Sequence, residues 1–120
     1  MSEIKSYRDL LIWQRGIVFV ERIYQETAHF PESERYGLVN QMRRAAVSIP
    51  SNIAEGQARQ HKGEFRQFLF VSLGSIAEIE TQIIISKELG FLTEEVSKSL
   101  QADLLELQKM TRTLASRLSN

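Results

Sequence analysis

Residues 43–56 read RRAAVSIPSNIAEG, and the reading of this stretch decides the fold. Leu38, Met42, Ala45, Ile49 and Ile53 recur at spacings of four and three, which keeps them on one helical face. Pro50 stands in the middle of that face. An interior proline deletes a backbone hydrogen bond and clashes with the carbonyl four residues back, at a cost of roughly 3 kcal/mol. Ser48, Ser51 and Asn52 are poor mid-helix residues unless their side chains satisfy backbone groups, and a break at Pro50 gives them that work. Ala45, Ala46, Ala54 and Ala58 let a second helix approach closely, and Glu55, if buried, requires a partner donor. The expectation is one helix over about 34–58, bent at its proline.

Three more helices follow from the flanking periodicity. The first covers about 9–28, with Leu10, Trp13, Ile17, Val20 and Tyr24 as its seam and Ile12, Phe19 and Ile23 widening it. Phe30-Pro31 stops it, because a residue before proline disfavours the helical region. The third covers about 63–89, with Phe65, Leu69, Ser72, Ile76, Ile79 and Ile83 on one seam. Phe68, Leu73, Ala77 and Ile84 form a neighbouring strip, so this helix is expected to be contacted from more than one side. Gly90 is a left-handed stop, and Thr93 before Glu94 and Glu95 starts the fourth helix, about 94–118. Val96, Leu100, Leu104, Leu107, Leu114 and Leu118 are its apolar face. Four helices of about 20 residues joined by short loops give an all-α, up-down-up-down antiparallel four-helix bundle, a single domain over 1–120.

Composition narrows the function. The chain has no cysteine, hence no disulfide frame, thiolate metal site or thiol nucleophile, which fits a cytoplasmic setting. No run approaches the ~20 apolar residues of a membrane span, and the N-terminal residues lack a signal peptide's apolar stretch. Net charge is zero, yet residues 35–66 carry six basic and two acidic side chains between acidic flanks. Arg43, Arg44, Arg59, Lys62 and Arg66 are therefore the candidate nucleic-acid contacts, since such a band can track a phosphate backbone. The competing reading pairs the same band with the acidic flanks between subunits of a scaffold.

Catalytic constellations are thin. A di-iron bundle uses Glu-x-x-His on two helices; Glu26 and His29 match once, and His61 has Ala58 three positions before it, so no metal site is expected. Arg22 and His29 have the spacing of an Arg/His bundle ribonuclease, in which imidazole would shuttle a proton and guanidinium would hold phosphorane charge. Ile23 stands where such motifs carry a polar residue. No catalytic residue and no cofactor is expected.

QMRRAAVSIPSNIAEG (41–56), EFRQFL (64–69), LGSIAEIETQ (73–82) and ELGFLT (88–93) together resemble the small bacterial four-helix-bundle proteins found in intervening sequences of 23S ribosomal RNA genes. The same family includes the accessory variability determinant of diversity-generating retroelements. LLIWQRG around Trp13 and the FPESE turn also fit, so the resemblance covers nearly the whole chain. It implies a ring-shaped homopentamer with a central channel and no catalytic activity. The retroelement members bind nucleic acid and a reverse transcriptase. By position, Arg43, Arg44, Ser48, Pro50, Asn52, Glu55 and Gly56 match the central motif, and Gly74, Ser75 and Glu78 match the second. After Gly56 the family tends to Arg-Arg-Ser-Lys-Lys-Glu-Phe, whereas this chain reads Arg59-Gln60-His61-Lys62-Gly63-Glu64-Phe65. Two positive charges and a serine cap are gone, which weakens the electrostatic case for tight binding.

Overall fold

The computed structural model describes residues 6–119, and among them there are four long helices and no strand. α1 spans Leu11–Thr27, α2 Asn40–Ala58, α3 Lys62–Glu88 and α4 Glu94–Arg117. α2 packs most extensively against α3, α1 lies on α2, and α3 lies on α4. The α1/α4 seam is the least packed of the four sides. The bundle measures 45 × 24 × 23 Å, and its long dimension is close to the ~40 Å of a 27-residue helix.

The helix ends follow local chemistry. Ser6 Oγ accepts the Arg8 amide, and the Asp9 carboxylate accepts the Ser6 amide, which fixes a short 3-10 turn before α1. α3 ends at Gly90, whose φ of 83° is the left-handed conformation glycine adopts without strain. Thr93 caps α4 by accepting the Val96 amide at 3.1 Å. Ahead of α2, Arg35–Val39 form one wide π-type turn in which Gly37 leaves helical geometry at φ −108°, ψ −107°. The turn between α2 and α3 puts Gln60 at φ 59°, a left-handed position held by a non-glycine residue.

The core is Ile- and Leu-rich: Ile49, Ile53, Leu69, Ile79, Ile83 and Leu100 have no exposed surface. The seam expected on α2 is buried from Met42 to Ile53, with Pro50 inside it, and helical backbone continues on both sides of the proline. On α1 the order of the two strips is reversed. Ile12, Gly16, Phe19, Ile23 and Thr27 are buried, whereas Ile17 and Tyr24 face outward. The reason is Gly16: a Cβ there would lie 3.2 Å from Pro50 Cβ, so its missing side chain lets the proline ring seat against α1. A glycine contributes nothing to an apolar pattern, and the stripe through it is therefore undercounted.

α3 is contacted from two sides, by α2 and by α4, as expected. Within its second strip Phe68 and Leu73 are half-buried and Ala77 and Ile84 are exposed, and Phe70, Val71 and Ile85 are exposed beside them. Its most apolar 18 residues have a mean hydropathy of 1.6, enough by length and composition to cross a membrane, but only 39% of them are buried in the bundle.

Candidate nucleic-acid and assembly interface

The two adjacent arginines of α2 part company. They point about 100° apart on a helix, and only one of them meets the rest of the chain. Arg43 Nε donates to Thr27 Oγ1 at 3.0 Å, and its terminal nitrogen donates to the Tyr24 carbonyl at 3.3 Å. The guanidinium also lies 4.4 Å above the centre of the Tyr24 ring. Thr27 in turn donates to the Ile23 carbonyl at 2.7 Å. Arg43 thus places a cation on the last-turn carbonyls of α1, the negative end of that helix, and ties α2 to α1.

Arg44 is exposed and has no ion pair among the described residues. With Tyr24, Asn40, Arg43, Val47 and Ser48 it lines an open groove of about 520 Å³ between α1 and α2. Tyr36, one helical turn ahead of Asn40, is 87% exposed. Phenylalanines fall mainly on core seams, whereas the exposed Tyr24 lines this groove together with Arg44. The spacing places Tyr24 on the α1 seam, but the reversal of that helix turns its ring outward.

The remaining basic residues collect at the other end of α2. Arg59 is exposed, lies 3.4 Å from Glu55 and sits 5.3 Å over the Phe68 ring. Lys62 is exposed, and Arg66 is half-buried with its guanidinium 4.8 Å over Phe70. Arg66 Nε is buried without a hydrogen-bond partner. Fifteen residues of helix separate Arg44 from Arg59, a distance of about 22 Å. The band that is continuous in sequence is therefore two clusters in space. Glu55 is exposed and pairs with Arg59 rather than with a buried donor.

The motif residues divide in the same way. Ser48 Oγ lies 2.6 Å from both the Ala45 carbonyl and Ser75 Oγ, joining the two motifs across α2 and α3. Asn52 Nδ2 donates to the Ser48 carbonyl at 2.7 Å, and Ser72 Oγ donates from α3 to the Ile49 carbonyl at 3.0 Å. These short polar side chains flank the proline and serve the carbonyls around it. At Gly56 a Cβ would come within 2.6 Å of Phe68 Cβ, so α2 and α3 touch there through glycine. Gly74 behaves differently, because a Cβ built on it meets nothing within 4 Å. Glu78 is exposed on the same helix and accepts from Gln82 at 3.4 Å.

The residues weighed for catalysis are placed as follows. Arg22 is bonded to Asp103 across the α1/α4 seam at 2.6 Å, and His29 is exposed beyond the end of α1. No cluster of three metal-ligating side chains occurs among the described residues. Glu26 and His29 stand alone in that respect.

The sequence profile of the 23S rRNA-intervening sequence protein family matches residues 8–113. Among curated proteins nothing matches. A solved structure with the same fold is a protein of unknown function from the S23 ribosomal protein family of Bacteroides thetaiotaomicron VPI-5482. It superposes with a TM-score of 0.78 at 22% identity, covering 88% of this chain and 98% of that one. At that identity the likeness speaks for the fold alone. The profile match spans all four helices, and the chain belongs to the 23S rRNA-intervening sequence protein family.

Proposed function

We propose that this chain is a non-catalytic, homo-oligomeric binding module that engages nucleic acid through the α1/α2 groove, with Arg44 as its principal cation. The observation that carries the reading is the exposed, ion-pair-free Arg44 beside the Arg43-capped Tyr24 ring. Phosphate contacts supply affinity, and Arg43 and Arg44 both line this groove beside the Tyr24 ring. Lys62 and Arg66, on the far cluster, extend the contact along the strand. Family membership supports the reading through the ribosomal RNA gene with which the family is associated. A protein partner such as a reverse transcriptase is proposed for the same basic surface, in a cytoplasmic setting.

Within this reading the helices alternate in direction, as the three-residue connection at 59–61 and the five-residue connection at 89–93 favour. α2 bends at Pro50, whose ring is accommodated by Gly16. The protomers form a pentamer of about 69 kDa, five times the 13.8 kDa chain.

The test is fluorescence anisotropy of a labelled single-stranded ribosomal RNA fragment across a salt series, with light scattering for mass. Binding that weakens with salt, and weakens further in Arg44→Glu, supports the proposal. Absent or salt-insensitive binding at low ionic strength refutes it. The scaffold reading draws on the Glu55–Arg59 pair and the zero net charge. In that case Arg44→Glu changes the assembled mass and leaves RNA binding absent.

A further inference from the structure

The groove over α2 carries a second chemistry besides its cations. Asn40 and Arg44 stand one helical turn apart on the solvent side of α2, and both line the groove. An asparagine at the start of a helix ordinarily caps a backbone amide, yet no side-chain bond caps the start of α2. The Asn40 carboxamide makes no hydrogen bond among the described residues and is exposed. The other asparagine of the helix, Asn52, is turned onto the Ser48 carbonyl at 2.7 Å. Arg43 is committed to α1, and Ser48 to the Ala45 carbonyl and Ser75. Asn40 and Arg44 are therefore the polar α2 side chains of this groove that a ligand can engage.

No carboxylate lines the groove. Glu21 on α1 and Glu78 on α3 are exposed on the flanking helices outside it, and Glu55, further along α2, is paired with Arg59. The two free side chains differ in what they recognise. A guanidinium on a phosphate positions a strand and carries no sequence information. A carboxamide presents one acceptor and one donor side by side, which matches the N6/N7 edge of adenine.

Shape decides between paired and unpaired bases. α2 packs against both α1 and α3, in a bundle 24 × 23 Å across. The major groove of a duplex is about 12 Å wide and the minor groove about 6 Å. A helix held between two neighbours cannot enter either, so the base edges that Asn40 meets belong to a strand that is already unpaired. We infer that Asn40 is a specificity-determining residue of this face: it reads the N6/N7 edge of an adenine in a single strand whose phosphate Arg44 holds. This rests on the nucleic-acid reading and names its substrate class, adenine-containing single strands.

Fluorescence anisotropy at one low salt concentration tests this, with short labelled strands of oligo(A), oligo(A) built from 7-deazaadenine, oligo(U), and the oligo(A)·oligo(U) duplex. The wild type is expected to bind oligo(A) about tenfold more tightly than oligo(U), the discrimination of one bidentate base contact. The 7-deaza strand lacks the N7 acceptor but keeps its stacking, and it is expected to fall to the oligo(U) level, with the duplex weaker than oligo(A). Asn40→Ala is expected to lower oligo(A) to the oligo(U) level while leaving oligo(U) affinity and the salt slope unchanged. Arg44→Ala is expected to weaken both strands alike and keep the preference. No preference for oligo(A), a preference that the 7-deaza strand shares, or one that survives in Asn40→Ala overturns the adenine contact and leaves nucleic-acid binding standing. Duplex affinity equal to that of oligo(A) overturns the assignment to single strands. Absence of binding to every probe overturns the nucleic-acid reading together with this one.

Discussion

At the scale of single residues, adjacent arginines in one motif sit in different surroundings. Arg43 bridges two helices through two hydrogen bonds and a ring contact, and hydrogen bonds to charged groups contribute about 1.5–3 kcal/mol. Arg43→Ala is therefore expected to lower the denaturation midpoint by the equivalent of about 2 kcal/mol, measured by urea unfolding. Arg44→Ala, on an exposed side chain, is expected to stay within about 0.5 kcal/mol of wild type while removing about one unit from the salt slope of RNA binding. Gly56→Ala forces a Cβ against Phe68 at 2.6 Å, and overpacking of this kind costs about 1–3 kcal/mol. Gln60→Gly runs the other way. A left-handed residue with a side chain carries roughly 1–2 kcal/mol of strain, so glycine at φ 59° is expected to raise the melting temperature.

At the scale of elements, α2 and α3 depart from simple helices for different reasons. α2 carries a proline that its own propensity rejects, and the surroundings compensate: Ser72 and Asn52 donate to carbonyls beside it, and Gly16 makes room for the ring. Pro50→Ala is expected to keep the helix content of the monomer by circular dichroism and to change the assembled mass. An unchanged mass would dissociate the proline from assembly. α3 carries a glycine with no intramolecular reason. Gly74→Ala is expected to stabilise the isolated chain by about 0.5–1 kcal/mol through helix propensity, and the same Cβ is expected to weaken association if the face is covered by a neighbour. A gain in both stability and assembly would show that nothing approaches Gly74.

At the scale of the whole molecule, the basic band of the sequence is two clusters about 22 Å apart, joined by one face of α2. A ligand that spans both must be extended, which favours a nucleic-acid strand over a compact anion. With a neutral net charge, the proposed binding rests on this local arrangement and not on a general basic field. With few phosphate contacts the proposed binding is expected to weaken gradually with salt, with Lys62→Glu and Arg44→Glu each reducing it. Equal RNA affinity in the double variant and the wild type would remove the groove from consideration.

Helix number, the α2 and α4 seams, the caps at Thr93 and Gly90 and the family motif were all legible in the sequence. Each is written in local spacing or local chemistry: apolar residues three and four apart, a hydroxyl before an acidic first turn, a glycine after the last one. The α1 seam was misread because a glycine that packs by having no side chain adds nothing to an apolar count. Which of Arg43 and Arg44 is free was not legible either, since the answer depends on Thr27 and Tyr24 on another helix. The sequence by itself determined four helices and the motifs they carry, because these rest on short-range periodicity. Only the tertiary structure decided which arginine faces outward and which apolar strip of α3 is left uncovered, because both depend on where neighbouring helices end and how closely glycine lets them approach.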